Sequence, residues 1–147
     1  MAGRGMLAHL KLADDDLLVD EVAQLRLGGA LVVLAACEGA LGETLPGDEL
    51  VSLGWAFLAA GARDVVASLW QLFDLMILPM LEPLYAALGE GGDAPAALAA
   101  AQRACIRAGR EQPHEPLGSP YVWASLCATG AGVPAGGTRP ADNVRSR

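Results

Sequence analysis

Two stretches of the chain are apolar with almost no polar position in them. LVVLAA (31–36) is one, and DVVASLW (64–70) is apolar apart from Asp64 and Ser68. Aliphatic and β-branched runs of this length predict strands covered on both faces, as in a parallel sheet. YVWASLCA (121–128) predicts a third strand, and HLKLA (9–13) a short one ending at the polar turn Asp14–Asp16.

The segments between them carry helical spacing. In LLVDEVAQLRL (17–27), Leu18, Val22 and Leu25 fall on one face, and Gly28–Gly29 closes the helix. Residues 48–60 read as a helix capped by Asp48 and terminated by Gly61. Residues 74–88 read as another, with Asp74 placed to cap its start. Pro79 and Pro83 lie inside it and predict a kink or a break. Asp93 caps a further helix, with Pro95 in its first turn, that runs through alanines to about Arg107. Residues 110–120 read as a polar Pro/Gly loop. Residues 131–147 have almost nothing to bury and are expected to form a disordered tail, leaving 1–130 as the folded part.

Strands alternating with helices imply a parallel sheet flanked by helices. In such sheets, sites form at the carboxyl ends of the strands. Cys37 lies just past one such end, and Trp70 and Asp74 lie past another.

Composition narrows the function classes. The 147 residues fit one domain, and 53% hydrophobic content supports a packed core. A net charge of −7 argues against nucleic acid, whose phosphates need a basic face. The most apolar region, 50–88, is interrupted by Arg63, Asp64, Asp74, Glu82 and two prolines. A membrane span needs about 20 uninterrupted apolar residues, so no membrane partner is expected. Cys37, Cys105 and Cys127 form no CxxC and no cluster with histidine, so no metal, cofactor or disulfide framework is expected. A reducing, cytoplasmic setting follows from the same cysteine usage. There is no GxGxxG or GxxxxGK[ST], which counts against a nucleotide-binding domain, one of three function classes considered.

AACEGA (35–40), AFLAAGAR (56–63), VVASLW (65–70) and PYVWASLCATG (120–130), taken together, resemble the CHAT domain, a caspase-like family. The family's usual stretches are Ser-Ala-Cys-Glu-Thr-Gly and Val-Val-Ala-Ser-Leu-Trp. The resemblance spans roughly residues 7–130. It implies a caspase-like three-layer α/β fold, mainly parallel, here lacking the first strands. It also implies a cysteine endopeptidase with a His–Cys dyad, acting on a protein or peptide substrate. A TPR-type repeat region or another chain is the partner it implies. By the match, Cys37 holds the nucleophile position, and Glu38 and Gly39 belong to the oxyanion loop. Trp70 and Asp74 lie near the substrate pocket.

Departures from the family pattern qualify that activity. The family's catalytic histidine sits in a His-Gly motif ending a strand before the cysteine strand, and the chain is expected to begin after it. A fragment, a start set too late and a degenerate copy remain open as explanations. The two histidines present, His9 and His114, are followed by Leu10 and Glu115 rather than glycine. Phe73 stands where the family often has an acidic residue, and Gly39–Ala40 replace Thr-Gly. Without the neighbouring histidine strand, LVVLAA is expected to be an edge of the sheet. Cys105 and Cys127 read as core, Trp55, Phe57 and Leu58 as one helix face. Trp70 fits core or pocket wall, and Asp74 fits a helix cap as well as a specificity residue. Glu38, Glu43, Asp48 and Glu49 form an acidic patch. Besides the peptidase part, inactive alone, a non-catalytic interaction module (a pseudo-peptidase) is the main alternative.

Overall fold

The computed structural model describes residues 9–35, 48–70 and 74–130, with the side chains of 48–52 and of Asp74 outside the described set. The expected tail over 131–147 and the Asp48 and Asp74 caps therefore lie outside the described residues.

The described chain opens on a hairpin. Strands β1 (His9–Lys11) and β2 (Asp16–Leu18) pair antiparallel, with His9 opposite Leu18. Helix α1 (Val19–Gln24) follows without a break. The Glu21 carboxylate accepts the Leu18 N–H at 2.9 Å, and the acidic first turn suits the positive end of the helix dipole. The single helix expected over 17–27 is thus shorter. Its first residues are taken by pairing with β1, and the Leu25 backbone is already extended, with ψ of 157°.

Strand β3 (Leu31–Leu34), helix α2 (Asp48–Ala59) and strand β4 (Asp64–Ser68) follow. Beyond α2 the chain reverses at Gly61, whose φ of +96° few side-chain-bearing residues adopt. There Gly61 N–H bonds Leu58 O and Ala62 N–H bonds Phe57 O, both at 3.0 Å, closing two carbonyls of the last turn. This is the termination that Gly61 predicts. Trp55, expected to share a face with Phe57 and Leu58, is instead exposed. The buried face of α2 runs through Leu53, Ala56 and Phe57, and Ala60 just after it is buried too.

Helix α3 (Asp74–Gly89) is one continuous helix, with Pro79 and Pro83 inside it. The expected kink or break does not divide it. Each interior proline costs roughly 3 kcal/mol. Burial of Ile77, Met80 and Leu84 opposes this, at roughly 1.5–3 kcal/mol for each such side chain. The two sums are comparable, so packing holds a helix that local propensity disfavours.

Helix α4 (Ala94–Glu111) starts as expected, with the Asp93 carboxylate accepting the Ala96 N–H at 2.8 Å and Pro95 in the first turn. It runs one turn past Arg107. A 3-10 turn (Pro116–Gly118) and helix α5 (Pro120–Trp123) lead into strand β5 (Leu126–Gly130). The strand expected over 121–128 therefore begins five residues later. The Ser119 hydroxyl accepts the Tyr121 N–H at 3.3 Å, and Pro120 presets the first helical φ, so the segment starts as a helical turn.

The sheet order is β3-β4-β5. β3 and β4 are parallel, with Leu34 opposite Ala67, whereas β4 and β5 are antiparallel, with Ser68 opposite Leu126. The parallel sheet expected from the sequence holds for the first pair only. Two long helices, α3 and α4, and the short turn and helix α5 separate β4 from β5. One long helix leads away from the end of β4 and the other leads back, so β5 must start where β4 stopped. Among the described residues β3 is an edge, as expected.

All of β4 is buried. Val66 packs with Ile77, Met80, Leu84, Leu98 and Val122, whereas Val65 and Ala67 pack with Val22, Leu34, Leu53 and Phe57. Alternate side chains of one strand thus enter two apolar clusters, one built on α3 and α4 and the other on α1 and α2. This explains the absence of polar alternation in DVVAS.

Candidate active site

Parallel pairing carries the exits of β3 and β4 to one edge of the sheet. Ala35 continues β3 there, and Leu69 and Trp70 continue β4. Because β5 starts opposite Ser68, the segment that feeds it, Ser119–Ser125, reaches the same edge. Cys37, Glu38 and Gly39, two to four residues past Ala35, lie outside the described residues. So does the side chain of Asp74, although its backbone opens α3 four residues after Trp70.

Trp70 is the expected site residue whose setting is fully described. It is half-buried, and its Nε1–H donates to Tyr121 O at 2.9 Å. Its ring stacks on that of Tyr121 with centroids 6.0 Å apart and planes 24° from parallel. The Ser68 hydroxyl donates to Trp70 O at 2.6 Å, and the Leu69 N–H donates to Ser125 O at 2.6 Å. The Ser125 hydroxyl in turn donates to Val122 O at 2.7 Å. Ser68 and Ser125 are buried, so these bonds form away from water and pin both connections to the strands. The Trp70 side chain is half-buried and packs against the cluster built on α3 and α4.

Sequence reasoning missed Tyr121, Ser68 and Ser125. Tyr121 was placed in a strand, where its ring would alternate across the sheet. The pair Ser119–Pro120 is the signal that could have found it, since it marks a helix start. Nothing local marks the serines, because their partners are set by chain crossings.

The two histidines sit apart. His9 lies in β1, with Nε2 3.9 Å from the Asp16 carboxylate. His114 lines an open cleft of about 480 Å³ with Gly109, Pro113, Glu115, Pro116, Gly118 and Ser119. That cleft belongs to the connection leading toward β5, the strand farthest from β3 in the sheet order. Of the other cysteines, Cys105 is buried in the α3–α4 cluster, and desolvation pushes its thiol pKa above the ordinary value. Cys127 is only half-buried, short of the core position expected for it. Among the described residues no group of three or more His, Cys, Asp or Glu side chains could hold a metal ion, and no helix is long and apolar enough to cross a membrane.

Fold and site together define a mixed α/β domain whose candidate chemistry sits where a parallel strand pair ends. A profile of the CHAT domain matches residues 2–131, and the chain belongs to the CHAT domain family. No curated protein matches it at a significant level. Family membership carries a caspase-like character, within a group that includes cysteine peptidases.

Proposed function

We propose that this chain forms the cysteine-bearing part of a caspase-like endopeptidase domain, with Cys37 as the attacking thiol. The parallel register of β3 and β4 is the observation that carries the reading, because it puts the segment leading to Cys37 at the edge occupied by Trp70. Helices built against both sides of β4 support the three-layer arrangement of that fold.

In this reading the Cys37 thiolate adds to the carbonyl carbon of a peptide bond. Backbone N–H groups of the Glu38–Gly39 loop receive the developing oxyanion. The C–N bond then breaks, the leaving amine takes a proton from an imidazolium, and water hydrolyses the acyl-thiol to regenerate the enzyme. Trp70 and the start of α3 at Asp74 form part of the substrate pocket. The imidazole comes from neither His9 nor His114, which lack the His-Gly context, but from a segment or partner chain outside this sequence. Without that imidazole, no base activates the Cys37 thiol, which attacks poorly while it keeps its proton. The same two histidines favour one other reading, a pseudo-peptidase that uses the edge for protein interaction.

Alkylation of the three cysteines by iodoacetamide, followed site by site against pH, tests the proposal. Cys37 is expected to react readily, at a rate whose rise with pH matches that of a free thiol measured alongside. Complete protection in the folded chain overturns the site assignment. An apparent pKa well below 7 overturns the need for an outside base. A chain that stays inert to peptide substrates when a His-Gly-bearing CHAT segment is supplied in trans supports the pseudo-peptidase instead.

A further inference from the structure

We infer that the outer face of α3 and α4 is a docking surface for an acidic amphipathic helix of a partner protein. It stands apart from the chemistry of Cys37. Two observations on neighbouring helices carry it, and a third joins them.

The first is the outer face of α3. A helix at a domain surface normally carries charged and polar residues on the side away from the core. Between Leu75 and Gly89, α3 carries one charged residue, Glu82. Ile77, Met80 and Leu84 are buried, whereas Leu75 is 82% exposed and Leu78 and Tyr85 are each 54% exposed. Leu75, Leu78, Glu82 and Tyr85 follow at intervals of three, four and three, the spacing of a stripe that meets another helix. Contiguous exposed apolar surface marks interaction sites.

The second is a ladder of arginines on α4. Arg103, Arg107 and Arg110 are exposed and follow at intervals of four and three, so they share the face opposite the buried Ala97, Leu98, Ala101 and Cys105. No ion pair joins any of the three to a described carboxylate. The helix dipole accounts for a base in the last turn, where Arg110 lies, but not for Arg103 two turns earlier.

The third is alignment. Glu90–Asp93 alone connect the two helices, so they pack antiparallel. Their register is set where Cys105 Sγ lies 3.8 Å from Pro79 O. At equal rise from that contact, Arg107 stands level with Ile77 and Arg103 with Leu81. The ladder therefore runs beside the part of α3 that carries Leu75, Leu78 and Glu82.

Charge complementarity selects the occupant. A helix with an apolar stripe covers Leu75, Leu78 and Tyr85, and Asp or Glu along one flank meets the arginines. A second copy of this chain fits less well, because it brings a like ladder of arginines. An anionic bilayer also fits less well, since the net charge of −7 opposes its approach.

The test uses the whole chain and short alanine-based helical peptides. They share one leucine stripe and differ only at three positions beside it, which hold Glu, Gln or Lys. Binding is read by fluorescence anisotropy. The Glu peptide is expected to bind about eightfold tighter than the Gln peptide, from three exposed pairs at roughly twofold each. An ionic strength of about 1 M should close that gap, because screening then acts within about 3 Å. Leu78→Ser should weaken all three peptides by about tenfold. Arg103→Glu combined with Arg107→Glu should invert the order, so that the Lys peptide leads. These side chains are exposed, so the variants are expected to fold. Absence of saturable binding by every peptide overturns the inference. So does a lead by the Gln or Lys peptide on the unmutated chain, or an order that survives the charge reversals. Tighter binding to vesicles of phosphatidylcholine and phosphatidylserine than to the Glu peptide overturns it in favour of a membrane. A dimer at sedimentation equilibrium that Leu78→Ser dissociates overturns it in favour of a second copy.

Discussion

Residue type does not set the role of a cysteine here; its surroundings do. Cys105 sits 2% exposed between α3 and α4, with Sγ 3.8 Å from Pro79 O. Pro83, four residues after Pro79, has no N–H to give that carbonyl. The thiol, a weak donor, stands in for the missing helix bond. Cys105→Ala removes both the donor and some packing and is expected to cost about 1–3 kcal/mol, read from urea unfolding. The raised thiol pKa has a further consequence. Well below the ordinary thiol value, folded and unfolded chains both keep the proton and stability is unaffected. Above that, the unfolded chain releases the proton first, so stability falls as pH rises. Cys105→Ala should flatten that alkaline fall in pH-dependent unfolding. An unchanged slope would show that the thiol is not desolvated in the native state.

At the scale of elements, close crossings decide what the helices tolerate. Gly109 in α4 lies against the backbone of Gly118 in the 3-10 turn. A Cβ on Gly109 would meet Leu117 C at 3.2 Å, with the Gly118 backbone nearer still. Alanine is normally the better helix former by about 1 kcal/mol. Here a rigid backbone neighbour opposes it, and overpacking costs roughly 1–3 kcal/mol. Gly109→Ala is therefore expected to lower the melting temperature. Gly54, inside α2, has open space around the corresponding position and an ordinary φ, so Gly54→Ala should raise stability by about 0.5–1 kcal/mol. Two glycines with the same local propensity move in opposite directions, and thermal melts of both variants check it. Equal shifts would mean that the α4 crossing is loose.

For the molecule as a whole, β4 is the hinge of stability. It contributes Val66 to one apolar cluster and Val65 and Ala67 to the other. Neither cluster keeps its sheet face if β4 leaves, so the two should unfold together. Val65→Ala and Val66→Ala each delete two buried methyl groups, worth about 1.6 kcal/mol from transfer and more with the cavity. Each variant is expected to shift a single transition, seen alike by far-ultraviolet circular dichroism and tryptophan fluorescence. Separate midpoints for the two probes would show two independent units. The exit of the same strand carries Trp70 to the edge that β3 reaches.

Local chemistry was enough to read the described β3 and β4 runs, the Gly61 reversal, the Asp93 cap and the alanine-rich run of α4. Each depends on residues within a few positions of one another: aliphatic continuity, a glycine needing positive φ, a carboxylate three residues from the N–H it accepts. The block around Cys37 likewise pointed to the family from sequence alone. Other features required the chain to be folded. Pro79 and Pro83 argued for a break, and only the burial of Ile77, Met80 and Leu84 against α4 outweighs them. The direction of β5 follows from two long intervening helices that bring the chain back to the edge it left. The Trp70–Tyr121 stack joins residues 51 apart through a carbonyl and two ring faces. Propensity and period act along the chain and can be read along it. Strand direction, the rescue of a lost helix bond and the pairing of rings at an edge come from contacts between distant segments, which exist only once the sheet and its helices have packed.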